Sequence, residues 1–414
     1  MSGKNLDWVD ELAQTIRSDV SIYQFVSPQN EDIERRRFEQ EIREQLVPVE
    51  DDEVIEATQE VSLDEIRAED LRNIDLPEPD FAYADGADYS SQIASLEEAR
   101  EVVSRAEASE TVKNVYLSTL DELEALIDIV ENVGDRETVQ QASQIIYGSP
   151  SEEALNWAED TLESLDSETD EKKEFSAEDM RRSVEGALEE VGMSDWKVNY
   201  TQKGVVSVNG ASREIRVPEN RKYGENEILR LVIHEIGTHA LRSANGYLHE
   251  FEILGSGAAE YHPTGEGLAL FMEEATGLSD NNLKRKYAAR ALAAESLLQG
   301  DDFGETYTLM REKGLNHDQA WSISTRAHRA GGFVKDHIYA EGLQQVTQYA
   351  EKEGTIDDLL IGKISEKYAG ELSDSELDSE YNPVDIARSL ERHAPEGVDP
   401  SSINLEGLRE YVES

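Results

Sequence analysis

Three side chains in one short stretch carry the chemistry of a water-activating metal centre. The segment Leu231-Val-Ile-His-Glu-Ile-Gly-Thr-His-Ala240 holds His234, Glu235 and His239. Two imidazoles can bind a metal ion, and a carboxylate beside them can serve as a base. The common spacing, His-Glu-x-x-His, sets its histidines four residues apart. Here the step is five. On a regular helix a step of four turns about 40° and a step of five about 140°. Both imidazoles therefore meet one ion only where the helix bulges, and Gly237 sits in the gap. The competing reading is a pair of buried, hydrogen-bonded core histidines on an apolar helix, so the surrounding elements must decide.

Those elements have recognisable signals. The metal-bearing helix is expected over 226–244, with Asn226 as N-cap, Asn245-Gly246 as its stop, and Leu229, Leu231, Val232 and Ile233 burying it. Before it, Trp196–Tyr200, Val205–Val208, the turn Asn209-Gly210 and Arg213–Val217 read as a small sheet with a hairpin. An edge strand there could pair with an extended peptide and lay a scissile bond across the metal. After it, Thr264–Glu274 reads as a second helix, closed by Gly277, with Glu266 in its first turn. A glutamate at that place can simply offset the helix dipole. A two-histidine site in a chain without cysteine nevertheless needs a third ligand, and a downstream glutamate can supply it. Glu273, Glu274, Glu260 and His262 compete with Glu266 for that role.

The rest of the chain reads mostly as helix. Apolar spacing predicts helices within 5–46 and 92–166, joined by an acidic, proline-containing connection over 47–90. Ser95 with Glu98 has the form of a capping box, and Ser151 opens a further helix after Pro150. The run Asp166–Glu171 has the composition of a solvated linker. Beyond the site, helices are expected over 283–298, 305–313 and 316–330, followed by Gly331-Gly332 and a segment containing Lys335, His337 and Tyr339. Seven of the eight histidines lie between His234 and His337, which concentrates the chemistry in this part of the chain.

Composition sets the outer bounds. The 414 residues carry 90 Asp and Glu against 39 Lys and Arg, for a net charge of −51 spread along the whole length. Such a surface suits a salt-saturated cytoplasm, where ions screen self-repulsion, and argues against nucleic acid or an anionic membrane as partner. With no cysteine there are neither disulfides nor thiolate ligands. The first residues lack an apolar signal core and no run is long enough to span a bilayer, so a cytoplasmic location is expected.

The motifs in combination resemble a known family. His234-Glu-Ile-Gly-Thr-His239 and Thr264-Gly-Glu-Gly-Leu-Ala269 are similar to the paired motifs of the QEGLA-motif proteins. Bacterial members of that family are called flavohaemoglobin expression modulators, and animal members are the microtubule-associated tyrosine carboxypeptidases, which remove the C-terminal tyrosine of α-tubulin. Tyr147-Gly-Ser-Pro150, Gly332-Phe-Val-Lys-Asp336 with Tyr339 and Gly342, Gly362-Lys363-Ile364 and Tyr381-Asn-Pro383 extend the resemblance over most of the chain. Gly265 departs from it, since the family usually has Gln or Glu there. The charge pattern suggests a haloarchaeal type of member. The five-residue histidine step with a downstream glutamate is also similar to dipeptidyl peptidase III.

This resemblance implies an α+β, mostly helical fold. It comprises a helical N-terminal region (1–170), a zincin-like catalytic domain (171–350) with a small sheet and a bulged metal-binding helix, and an acidic C-terminal extension (351–414) packing on that domain. It implies one Zn2+ on His234, His239 and Glu266, with Glu235 as the catalytic carboxylate. The expected activity is that of a zinc metallopeptidase, a carboxypeptidase removing a C-terminal residue, Tyr or another large one, from a peptide or protein. Binding the terminal carboxylate calls for Arg or Lys, with Arg326, Arg329 and Lys335 as candidates. Tyr339 is the candidate donor to the oxyanion. The tubulin substrate is not carried over, because an acidic enzyme surface repels an acidic tail. Two rivals stand beside this expectation. One is a zinc amidohydrolase acting on a non-peptide substrate, disfavoured by the peptide-pairing edge. The other is a non-catalytic regulatory metal-binding protein, disfavoured by Glu235, for which a structural site has no use.

Overall fold

A computed structural model describes residues 6–20, 22–46, 62–167, 171–373 and 379–412. The expected connection 47–90 and linker 166–171 fall partly outside these residues. Within them the chain is mostly helical, with one sheet of three short strands.

The sheet consists of β1 (Lys197–Thr201), β2 (Ser207–Asn209) and β3 (Glu214–Pro218) in the order β1-β3-β2. β2 and β3 form the expected antiparallel hairpin, and β1 adds to the other side of β3 in parallel register, Val198 opposite Ile215. Ile215 and Val217 alternate inward from β3 and are fully buried. β2 is left as an edge strand and packs on the helix that carries His234 and His239.

That helix runs over 225–246 and is not regular. It starts as α-helix over Glu225–Leu231, becomes a π-helix over Val232–Ala240 and returns to α-helix over Leu241–Gly246. The wide turn extends for nine residues where the sequence suggested a one-residue bulge. Nor does Gly237 dictate it: a Cβ there would come no closer than 3.7 Å, to Ile386. Hydrogen bonds running from i to i+5 bring residues five apart one above the other, and that satisfies the His234–His239 step. The helix start is also capped differently from expectation. Asn226 lies inside the helix, and the Glu171 carboxylate accepts from Asn226 N at 2.8 Å and from Glu227 N at 3.3 Å. An acidic side chain from a distant segment thus satisfies N–H groups that no local residue reaches.

The second helix of the site spans Tyr261–Ala275, starting three residues before Thr264, so Glu266 sits in its second turn. It crosses the helix Ile338–Glu353 at glycines: a Cβ on Gly267 would lie 2.0 Å from Gly342 C, and one on Gly342 would lie 1.8 Å from Pro263 O. Backbone meets backbone here, which only glycine on both sides permits. The helix Pro383–His393 closes the other face of the π segment.

Apolar side chains from Leu6, which caps the first helix, to Val412 in the last share one core cluster that includes Ile233, Ile236 and Leu268. A second, aromatic cluster gathers Phe38, Phe303, Tyr307 and Trp321, with Phe38 edge-on to Phe303 at 5.4 Å. The Ser95 box does not form. Ser95 lies inside the helix Ser90–Arg105 and bonds back to Ser91 O at 3.0 Å. Ser151 does cap its helix, accepting from Ala154 N at 3.2 Å. Among the described residues no helix is long and apolar enough to cross a membrane.

Candidate metal centre

The π segment and the helix Tyr261–Ala275 lie side by side, and three potential ligands converge between them. One ligand atom each from His234, His239 and Glu266 fall within 4.8 Å of one another, the only such group of His, Cys, Asp and Glu among the described residues. The imidazole centroids are 5.1 Å apart. Glu266 Oε2 is 3.6 Å from His234 Nε2 and 3.7 Å from His239 Nε2. A tetrahedral ion with bonds near 2.1 Å separates its ligand atoms by roughly 3.4 Å, so two imidazoles and a carboxylate in this geometry fit a tetrahedral metal ion. His234 is buried, whereas His239, Glu266 and Glu235 are half-buried.

Electrostatics agree with a cation at the convergence point. Burial works against a charged His234, but hydrogen bonds to Glu266 and Glu273 outweigh it and push its pKa up to about 10. Burial likewise opposes ionised Glu266, yet the two imidazoles hold its carboxyl well below the usual range. The three side chains together stabilise positive charge between them. Glu235 differs. Desolvation raises its pKa, only partly offset by the two histidines, as a proton-carrying carboxylate requires.

Glu273, one of the competing ligand candidates, contacts the other side of His234. Its Oε1 accepts from His234 Nδ1 at 2.8 Å and from Arg230 Nη1 at 2.9 Å. With Nδ1–H held there, Nε2 is the nitrogen left to face the convergence point, where once deprotonated it would offer its lone pair to an ion, the carboxylate–imidazole support common at metal sites. Arg230 escaped the sequence reading, although its place four residues before His234, one turn back on the same face, was a signal. Glu273 likewise lies seven residues, two turns, beyond Glu266. The other competitors are engaged elsewhere. Glu274 pairs with Lys284 at 2.8 Å and Glu260 with Lys367 at 3.0 Å. His262 stacks among rings, 4.1 Å from Tyr261 and 5.3 Å from Tyr147, where burial holds its pKa well below the ordinary value.

The four remaining sequence candidates lie on the segment 326–339 in different circumstances. Arg326 grips Asp336 through Nε and Nη2, the latter at 2.8 Å. Arg329 is buried against the Phe333 ring at 4.8 Å, with Nε and Nη2 unpartnered. Lys335 hydrogen-bonds Tyr23, and its ammonium lies 5.5 Å from the Tyr147 ring. Burial opposes its charge, but the phenols and Glu266 more than restore it. Tyr339 stacks on Tyr287 at 4.3 Å and 11°, with the Arg290 guanidinium 5.6 Å from its ring. Its hydroxyl is held well above its usual pKa by burial and then by the charge of Glu266.

Gly265 also has a structural context. A Cβ there would touch Arg242 Nη1 at 3.3 Å. Arg242, three residues past His239 and 1% exposed, donates to three carbonyls: Leu359 O at 2.8 Å, Gly362 O at 2.9 Å and Ile364 O at 2.6 Å. The helix of His234 and His239 thereby fixes the loop that carries Lys363.

No curated protein matches the chain. Among solved structures it is similar to the M32 carboxypeptidase from Deinococcus radiodurans R1, at 12% identity over 98% of each chain, with a TM-score of 0.44. It is similar to metallocarboxypeptidase 1 of Trypanosoma cruzi at 12% identity over 99% of this chain and 100% of that one, with a TM-score of 0.40. A family model described as microtubule-associated tyrosine carboxypeptidase (MATCAP) matches residues 74–378, well over half the sequence. The chain belongs to the microtubule-associated tyrosine carboxypeptidase family.

Proposed function

We propose that the protein is a zinc-dependent carboxypeptidase that removes one residue from the C-terminus of a peptide or protein. The observation that carries the reading is the convergence of His234, His239 and Glu266 beside a carboxylate, Glu235, that is not one of the three. Bound there, zinc would polarise the scissile carbonyl and make water acidic enough to attack at neutral pH. Glu235 takes the proton from the attacking water and delivers it to the leaving amine. Its raised pKa suits both transfers. Glu273 and Arg230 keep His234 in the tautomer that offers Nε2. The Tyr339 hydroxyl, in the field of Glu266 and locked by its stack on Tyr287, donates to the developing oxyanion.

The substrate's terminal carboxylate needs a cation. Of the three on the 326–335 segment, Lys335 is the best placed, because its ammonium feels Glu266 and meets a phenol, not a carboxylate. Arg326 is committed to Asp336, which favours a scaffolding role, and Arg329 sits deeper, against Phe333.

The test is cleavage of a peptide library varied at its last residue, read by mass spectrometry. It is run with zinc in multimolar KCl, as the net charge of −51 demands. Wild type should shorten peptides by one residue, and zinc-loaded Glu235→Gln should shorten none. Equal cleavage by both proteins would remove Glu235 from the mechanism. No cleavage by either would count against a peptidase.

A further inference from the structure

Lys363 is a buried lysine without a counter-ion among the described residues. It is 9% exposed, and among the described residues no carboxylate oxygen lies within ion-pair distance of its Nζ. In a chain with 90 acidic residues, that isolation is informative, because burying an ammonium without a partner is costly. Its neighbour is instead an aromatic face; beyond that, the charges of Arg242 and Arg17 act on it most, followed by those of two carboxylates of the site. Nζ lies 5.9 Å from the Tyr261 ring centroid, and the charges of Glu235 and Glu266 both act on it.

The main chain around Lys363 is clamped. Lys363 N donates to Leu254 O at 2.7 Å and Lys363 O accepts from Ala258 N at 2.9 Å. Arg242 holds the carbonyls of Leu359, Gly362 and Ile364. A Cβ on Gly210, in the turn after β2, would come 3.1 Å from Nζ, so the hairpin leaves just enough room for the ammonium. The loop, the hairpin and the metal helix together aim one side chain. The charges of Lys335, Arg17 and Lys363 all reach His262, at the start of the helix that carries Glu266. None of the three has an ion-pair partner among the described residues, and Arg17 makes a single hydrogen bond, to Ser256 Oγ at 3.4 Å.

We propose that Lys363 is a further carboxylate-binding residue of the site and attracts the substrate's terminal carboxylate. The inference rests on the carboxypeptidase reading and deepens it: the recognised group is a free C-terminal acid, met by a lysine on the loop that Arg242 secures.

Binding separates this inference from the reading beneath it. Zinc-loaded Glu235→Gln protein is titrated calorimetrically with one tetrapeptide as its free acid and as its C-terminal amide. With Lys363 present the acid should bind at least about tenfold tighter than the amide. Adding Lys363→Met should erase most of that preference while leaving amide affinity unchanged, and Lys363→Arg should retain it. Met replaces the unpaired ammonium with apolar volume, so folding should survive. Lys363→Gln provides a second variant, and thermal unfolding checks both. A full acid preference in folded, zinc-loaded Lys363→Met and Lys363→Gln overturns the assignment, even if wild type cleaves peptides. A preference that depends on Lys363 in a protein that cleaves nothing upholds Lys363 as an anion-binding group and overturns the peptidase reading alone.

Discussion

The two sides of the site handle charge in opposite ways. On the metal side the candidate ligands and their supports are paired: Glu266 between two imidazoles, Glu273 between His234 and Arg230. On the cationic side Lys335 meets a phenol, Lys363 an aromatic face and Arg17 a serine hydroxyl. Yet only a short distance along the same chain Arg326 and Asp336 are tightly paired. Local sequence supplies acids in abundance, so the unpaired cations are a property of the site and not of composition. A self-satisfied side suits an ion held permanently, and an unsatisfied side suits an anion that comes and goes.

This contrast can be broken experimentally, most severely on the metal side. Glu266→Ala should lose zinc, measured by atomic absorption after dialysis, and with it all peptide cleavage; stoichiometric zinc in the variant would show that Glu266 is not a ligand. Glu273→Gln removes only the support behind His234. A loss of about 10–100-fold in zinc affinity or activity is expected, and an unchanged zinc affinity with unchanged turnover would reduce Glu273 to a packing residue.

The paired and unpaired cations should also part company in stability. Asp336→Asn leaves Arg326 facing a neutral amide and should cost about 3–5 kcal/mol in denaturant unfolding. Lys335→Met should cost far less, since no carboxylate is stranded. Equal losses would erase the distinction drawn between them.

A smaller effect lies at the edge of the core. Asp10 is 2% exposed and accepts from Tyr116 Oη at 2.9 Å and from Ile253 N at 3.1 Å. Burial still pushes its pKa from 3.8 up to about 7. The folded state therefore holds this proton more tightly than the unfolded chain. Its contribution to stability is complete below about pH 4 and is lost as pH rises to about 7. Asp10→Asn keeps both acceptor contacts without the charge. Its stability relative to wild type should rise from pH 5 to pH 8 by about 2–3 kcal/mol; a flat difference would place the Asp10 pKa near its ordinary value.

Much of this was legible in the sequence because it depended on local spacing. The hairpin followed from Asn209-Gly210 and the cap from Ser151. The five-residue histidine step required a widened helix, and one exists. The length of the π segment was not legible, because it depends on what packs around it: Gly237 faces Ile386 from a helix about 150 residues later. The same holds for the cap that Glu171 supplies to Asn226, and for Glu273, whose place behind His234 requires knowing how two helices face each other. Lys363 was invisible as a site residue, since nothing in Gly-Lys-Ile indicates a buried ammonium without a partner.

The buried position of Lys363 has a kinetic consequence. An incoming anionic peptide first encounters a surface whose net charge is −51 and reaches attractive charge only when nearly docked. In dilute buffer the repulsive outer field extends tens of ångströms, whereas at molar salt it dies within about 3 Å. A protein that displays its basic patch openly loses association rate as salt is added. Here the long-range repulsion is screened before the short-range attraction, so encounter should accelerate with ionic strength, and brine becomes the medium in which this site fills fastest.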